Sequence, residues 1–279
     1  MDWLLEFTDV HFTYPGARHQ ALAGLTMRIP AGQRCVLLGH NGSGKSTFFL
    51  HANGILRPEQ GRIHWRGKPL GYDRSSLLVL RQAVGLVFQD PEQQLVAGTV
   101  GEDISYGLCN IGLDDREIVR RVREIAQRFD LEELLDRPIH QLSLGQKRQV
   151  ALAGVMAMQP QLLLLDEPTA CLDRLHTRQL MAELAEIHQA GTAILMATHD
   201  LDLAYAWADW IFVLDGGRLV LEGTPDQVFS QRAALEELHL GVPLLFDLWE
   251  ALPPERRAAF TSGMPPRTAA EWKERKVWV

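Results

Sequence analysis

The stretch that most constrains this chain is Gly39-His40-Asn41-Gly42-Ser43-Gly44-Lys45-Ser46-Thr47. An apolar run, Cys35-Val36-Leu37-Leu38, precedes it and reads as a short buried strand. A helical stretch begins at about Lys45, with Asn53-Gly54 as its stop. Strand, glycine-rich turn and a Lys-Ser pair opening a helix are the ingredients of a phosphate-binding loop. Gly39, Gly42 and Gly44 let backbone N–H groups converge into an anion nest, and the helix N-terminus adds positive potential. Lys45 brings a mobile point charge for the outer phosphates, and the Ser46 hydroxyl can ligate Mg²⁺. The bland alternative is a glycine-rich turn with an exposed lysine. The strand before the loop and the helix after it argue against that and for nucleotide phosphate.

Composition bounds what else the chain can be. Its 279 residues suit one large or two modest domains, and 46% hydrophobic with 23% charged residues suit an ordinary globular core. A net charge of −7 argues against a nucleic-acid partner, which would call for a basic stripe. No window approaches 18 uninterrupted apolar residues, so no membrane span is expected, and Met1-Asp2-Trp3-Leu4-Leu5-Glu6 carries no basic signal region. Cys35, Cys109 and Cys171, odd in number and widely spaced, read as reduced, buried thiols. The ten histidines lack ligand spacing, and none is assigned to a metal.

Taken in order, residues 4–14 read as a strand with Val10, Phe12 and Tyr14 alternating, and Leu25, Met27 and Ile29 mark another. Residues 61–67 and Val84–Phe88 give two more strands, the second ending in Gln89-Asp90-Pro91. Residues 114–135 read as helix, with Ile118, Val122, Ile125 and Phe129 at spacings of three and four. Ser143 and Gln146 fit a capping box that starts a helix running to about Gln159. Leu162–Leu165 before Asp166-Glu167-Pro168 read as a central parallel strand. Helix 174–190, strand 192–197, a helix capped by Asp200, a hairpin around Asp215-Gly216-Gly217 and a helix capped by Thr224 follow. Strands alternating with helices predict an α/β fold with a mostly parallel sheet, a helical insert spanning about 90–158 and a main unit over 1–225. Residues 226–279 read as an accessory region: a packing or dimerisation appendage, a docking surface, or a partly ordered tail.

The second chemical element is Asp166-Glu167. At the C-terminal edge of a parallel sheet, beside the phosphate loop, Asp166 can hold Mg²⁺ and Glu167 can orient or deprotonate water. Elsewhere such a pair would be two solvated acids at a strand end.

Leu142-Ser143-Leu144-Gly145-Gln146, which ends twenty residues before Asp166, resembles the signature motif of ABC-type ATPases. With the phosphate loop, Asp166-Glu167, Ala170-Cys171-Leu172-Asp173 and Thr198-His199-Asp200 in this order, the resemblance covers roughly residues 4–225. It implies an ABC ATPase core with a mostly parallel sheet, an antiparallel β subdomain, a helical subdomain and a small C-terminal extension. ATP and Mg²⁺ are the implied ligands. By position, Tyr14 resembles the aromatic that stacks on adenine. Gln89 resembles the residue that couples the Mg²⁺ site to the transport partner, Glu167 the catalytic base, and His199 the histidine that holds the γ-phosphate and attacking water. Asp173 belongs to the loop that communicates across the dimer. Taken singly, Tyr14 reads as an edge-strand aromatic and His199 as a strand-end histidine; the ordered set is what gives them roles.

A helix N-terminus bearing Ser143 and Gly145 exposes N–H groups and a hydroxyl suited to a γ-phosphate. In the family this motif completes the site of a second subunit held head-to-tail. The chain departs from the pattern at Leu144, where glycine is usual, and His40 is unusual in the phosphate loop. The run Phe88-Gln89-Asp90-Pro91-Glu92-Gln93-Gln94, continuing to Thr99-Val100, Glu102-Asp103-Ile104 and Tyr106-Gly107, is similar to energy-coupling factor importers, closest to CbiO-like subunits of cobalt and nickel uptake. The resemblance implies a second ATPase subunit, an identical copy or a different one, integral membrane partners, a peripheral place on the cytoplasmic face of the membrane, and no nucleic acid. Two readings compete with cobalt or nickel import: a vitamin importer of the same type, and a non-transport ABC ATPase acting on nucleic acid or ribosomes.

Overall fold

The computed structural model describes residues 2–257 and 265–274; the N-terminal Met1 and parts of the 226–279 region lie outside the described residues. The chain opens with β1 (Trp3–Phe12) and β2 (Leu22–Pro30), enters the central sheet with β3 (Arg34–Leu38), and passes through the phosphate loop into α1 (Lys45–Ala52). Next come β4 (Gln60–Trp65), β5 (Lys68–Pro69), α2 (Arg74–Ala83) and β6 (Val84–Val87). The helical insert holds α3 (Val100–Asn110), α4 (Asp115–Arg128) and α5 (Leu144–Ala157). The chain returns to the sheet with β7 (Leu162–Asp166), α6 (Arg174–Gln189), β8 (Ala193–Ala197), α7 (Leu201–Trp207), β9 (Trp210–Asp215) and β10 (Arg218–Gly223). Short helices follow: α8 (Pro225–Phe229), α9 (Arg232–Glu237), α10 (Leu244–Glu250), α11 (Pro254–Arg257) and α12 (Ala269–Glu274).

Two sheets organise these elements. One is antiparallel, ordered β2-β1-β4-β5. The other, ordered β10-β9-β3-β8-β7-β6, is parallel except for the β9–β10 hairpin. The parallel strands are apolar on both faces because helices and the second sheet cover them. Leu162 to Leu165 are at most 1% exposed, and each contributes about 1.5–3 kcal/mol by leaving water. The order matters for function. β3 lies between β8 and β9, and β7 lies next to β8, so the loops leaving β3, β7 and β8 emerge side by side at one edge.

Local chemistry explains most boundaries. The Ser143–Gln146 and Thr224–Gln227 capping boxes both form, and Asp200 caps α7 by accepting from the Leu203 N–H. Several expectations need correction. The helix expected over 114–135 stops at Arg128, because Asp130 takes a left-handed backbone with φ 51°; residues 132–134 form only a short 3₁₀ turn. The strand expected to reach residue 14 ends at Phe12, leaving Tyr14 beyond it and exposed. The Leu162–Asp166 strand is second from an edge and not central. Only Cys35 is buried; Cys109 and Cys171 are exposed. Among the helices that had not been expected individually are α2 and α3. Asp73 caps α2 at Ser76, and Thr99 with Glu102 forms a capping box on α3.

The described part of 226–279 packs on the same core as the parallel sheet, through Val228, Phe229, Leu235 and Phe246. The ring of Tyr205 lies edge-on to Phe229 and Phe246, both at 5.7 Å, and its hydroxyl donates to Asp226 at 2.8 Å. Arg267 bridges Asp226 and the Ala208 carbonyl, both at 3.1 Å, which ties the far end of the chain to α7 and α8.

Candidate functional site

The phosphate loop is shaped by backbone that only glycine tolerates. Gly39 and Gly44 have φ of 148° and 108°, and a Cβ on either would meet a carbonyl oxygen: 2.4 Å from Leu214 O and 2.7 Å from Ala21 O respectively. Gly44 is the N-cap of α1, with no side-chain hydrogen bond to the helix. The first N–H groups of α1 are therefore left for a ligand, in the way that suits an anion.

Lys45 folds back over the loop. Its Nζ donates to the Gly39 carbonyl at 2.6 Å and the His40 carbonyl at 3.1 Å. Burial lowers its pKa, against the pull of Glu167 and Asp166. Ser46 Oγ donates to Asp166 Oδ2 at 2.7 Å; burial raises the Asp166 pKa, while that hydrogen bond and Lys45 oppose the rise. Desolvation thus strains a lysine and a carboxylate in opposite senses inside one cavity. A phosphate chain and a cation entering together would relieve both.

Glu167 follows directly, 8% exposed and with φ 47°, a conformation unusual for a residue with a side chain. Its N–H is held by the Ala197 carbonyl at the end of β8, and its Oε2 meets His199 Nδ1 at 2.9 Å. The His199 side chain is otherwise exposed. Thr198 is fully buried, and its N–H donates to Leu37 O of β3, which sets the position from which His199 projects.

A cavity of about 300 Å³ joins Tyr14, Asn41, Gly42, Gly44, Lys45, Ser46, Thr47, Gln89, Asp166 and Glu167. These residues, up to 153 positions apart (167 minus 14), are most of those singled out from the sequence. The Tyr14 hydroxyl lies 3.3 Å from Thr47 Oγ1, so the aromatic is tethered at the mouth of the loop. Ser46, Asp166 and Gln89 offer hydroxyl, carboxylate and amide oxygens, the hard donors that Mg²⁺ prefers beside phosphate. Ser43 is fully buried under the loop.

Ser143, Gly145, Gln146 and Asp173 are not among these residues. Ser143 and Gln146 are occupied in capping α5, with Ser143 N donating to Gln146 Oε1 at 3.0 Å and Gln146 N to Ser143 Oγ at 3.3 Å. Leu144 stands out at 45% exposed, and nothing lies within 4 Å of a Cβ built on Gly145. Asp173 caps α6 by accepting from the His176 N–H at 2.9 Å. None of them lines the cavity: Ser143 and Asp173 are exposed, and Gly145 and Gln146 half-buried. Two features escaped sequence reasoning. Ala21 lines the cavity, and the β9–β10 turn braces the loop, with Gly217 N donating to Ser43 O at 3.0 Å. The Gly216-Gly217 hairpin was legible, but nothing in it signalled a contact with residues near position 40.

Comparison with known proteins accords with this geometry. The ABC transporter family pattern matches residues 22–170. A putative ABC transporter ATP-binding protein of Nostoc sp. is 57% identical over 88% of this chain and 90% of its own length. The energy-coupling factor transporter ATP-binding protein EcfA of Methanocaldococcus jannaschii is 42% identical over 90% of this chain and 89% of its own. Among solved structures, CbiO1 of Clostridium perfringens, described as part of the ABC transporter complex CbiONQ, aligns with a TM-score of 0.73 at 40% identity. It covers 86% of this chain and 95% of its own. A dimeric ATP-binding cassette in a post-hydrolysis state with ADP and Pi aligns at 0.72 and 25% identity, covering 80% of this chain and 99% of its own. A phosphate loop, an acidic strand end and a detached signature helix, on a chain this similar to those relatives over nearly its whole length, identify it as a member of the ABC transporter family, an ATPase subunit of the energy-coupling factor, CbiO-like type.

Proposed function

We propose that this subunit drives import of cobalt or nickel ions, working as half of a head-to-tail ATPase pair on the cytoplasmic face of the membrane. The observation that carries the chemistry is the meeting of Lys45, Ser46, Asp166 and Glu167 in one cavity at the sheet edge. Loop amides and Lys45 bind the β- and γ-phosphates, and Tyr14 stacks on the base. Ser46, Asp166 and Gln89 would hold Mg²⁺, which supplies charge neutralisation on the phosphates when bound. Glu167 orients and deprotonates the attacking water, and His199, already bonded to that carboxylate, steadies it and reaches toward the γ-phosphate. Ser143, Gly145, Gln146 and Asp173 complete the site of the partner copy. Residues 1–225 form the ATPase unit in this reading, and 226–279 an accessory unit.

Coupling to membrane subunits has a place in the same reading. A groove of about 580 Å³ runs between α2 and β6 on one side and α3 and α5 on the other, lined in part by Ile55, Leu78, Phe88, Val96, Tyr106 and Met158. Phe88 lines this groove while Gln89, the next residue, lines the nucleotide cavity. A helix end of a membrane partner seated in the groove would move the Mg²⁺-facing amide through a single peptide link. Among the described residues no helix is long and apolar enough to cross a membrane, so translocation would fall to such partners.

The test is purification of the tagged chain from its own membranes in mild detergent, with mass spectrometry of what accompanies it. Small integral membrane proteins are expected, and Tyr106→Asp should lose them while keeping ATP binding. Ribosomal proteins in their place would overturn the importer reading. Reconstituted complex that carries a vitamin and neither Co²⁺ nor Ni²⁺ would overturn the choice of solute.

A further inference from the structure

The β9–β10 turn touches the phosphate loop at three successive points. Gly39 lies against the Leu214 carbonyl, His40 against Asp215, and the Ser43 carbonyl against the Gly217 N–H. Only the middle contact can change its proton count. His40 Nε2 lies 2.6 Å from Asp215 Oδ1, and its Nδ1 lies 2.7 Å from the Asn41 carbonyl oxygen. Both neighbours are acceptors. A neutral imidazole has one N–H and can serve only one of them, leaving a ring lone pair facing an oxygen lone pair; the imidazolium donates to both. The two carbonyls that hold Lys45 Nζ belong to Gly39 and His40, so the histidine's backbone is itself part of the lysine's seat.

We propose that the His40–Asp215 pair is a proton-dependent clamp on the phosphate loop, positioning it so that nucleotide binds more tightly when the His40 ring carries both protons. The inference rests on residues 39–47 being the nucleotide site. It adds a regulatory input that the phosphate-loop pattern does not contain. The charged groups acting on His40 are Asp215 from the end of β9 and Lys45 from α1. The bond to the Asn41 carbonyl and then the one to Asp215 raise its pKa, while partial burial and Lys45 lower it, and the net direction is up. The sign follows. The clamp is complete at low pH and is lost as pH rises through the raised pKa of His40.

The experiment measures the affinity of the full chain for a non-hydrolysable ATP analogue with Mg²⁺ from about pH 6 to pH 9, beside His40→Arg, His40→Asn and Asp215→Asn. Titration of the nucleotide's own γ-phosphate is common to all four proteins and cancels in ratios to His40→Arg. Wild type should weaken about two- to fivefold relative to His40→Arg across this range, the scale of an exposed charged pair. His40→Asn should be weak at every pH, and Asp215→Asn should show its step at lower pH. Circular dichroism checks folding, and the His40 ring resonance, identified by its absence in His40→Asn, gives the midpoint independently. A ratio flat with pH, a step unchanged in Asp215→Asn, or a ring midpoint below the ordinary histidine value overturns the clamp. Failure of wild type to bind nucleotide at any pH would instead remove the site assignment beneath it.

Discussion

At the start of α1 no side chain closes the helix: Gly44 holds the N-cap position with φ 108°, and the first N–H groups open into a cavity with Lys45, Asp166 and Glu167. At the start of α5 the reverse holds. Ser143 and Gln146 satisfy each other's backbone, and Ser143 and Leu144 stand exposed. An uncapped, recessed helix end leaves its donors without side-chain partners, the arrangement that suits an anion. A capped, protruding end is stable alone. Its serine hydroxyl accepts one bond from its own helix and still has a proton to donate outward. Under the proposed head-to-tail pairing, the contrast is that between a primary site and a surface that a second copy would complete, and it would account for two motifs in one chain that do not meet.

Variants that treat the two ends differently can break this comparison. The largest effect belongs to the recessed site: Glu167→Gln should slow steady-state ATP turnover by about 10²–10⁴-fold while nucleotide still binds. Near-normal turnover would remove Glu167 as the base. Lys45→Ala comes next, weakening nucleotide affinity by about 10–100-fold, the scale of lost charged hydrogen bonds. Equilibrium titration reads it directly, and an unchanged affinity would mean that Lys45 does not bind phosphate.

Smaller effects are expected at the protruding end. Ser143→Ala should lower turnover about tenfold while leaving the affinity of the single chain for nucleotide unchanged, because in the proposed pair its hydroxyl would serve another copy's phosphate. It should also cost about 1 kcal/mol of stability through loss of the cap. A parallel fall in single-chain affinity would place Ser143 in its own chain's site and erase the distinction. The smallest change is predicted for Leu144→Gly. Affinity should hold, and thermal unfolding should report a loss of no more than about 1 kcal/mol, the helix penalty of glycine. A large change in turnover there would make Leu144 a contact across the pair.

Legibility followed chain distance. Motifs whose logic lies within a few residues could be read: the glycines of the phosphate loop, the Ser143–Gln146 and Thr224–Gln227 boxes, and the Asp215–Gly217 turn. The helix expected to run to 135 failed because apolar periodicity continues through Phe129, while Asp130 ends the helix by its backbone angle, which no side-chain pattern reports. Cys109 and Cys171 were misjudged as buried because cysteine preference is an average, and their place on α3 and in the loop before α6 overrides it.

By itself, then, the sequence determined which residues could bind phosphate, hold a cation or act as a base, because residue chemistry and short spacings are local properties. Tertiary structure decided which of these meet. Strand order puts β3, β7 and β8 side by side, and so brings Ser46 to Asp166 and Glu167 to His199 across 120 and 32 residues. The same order sets His40 against Asp215, 175 residues away, while Ser143 and Asp173 are left on the outside. Sheet pairing is a non-local choice made by burial of whole strands, and no spacing within the chain records it.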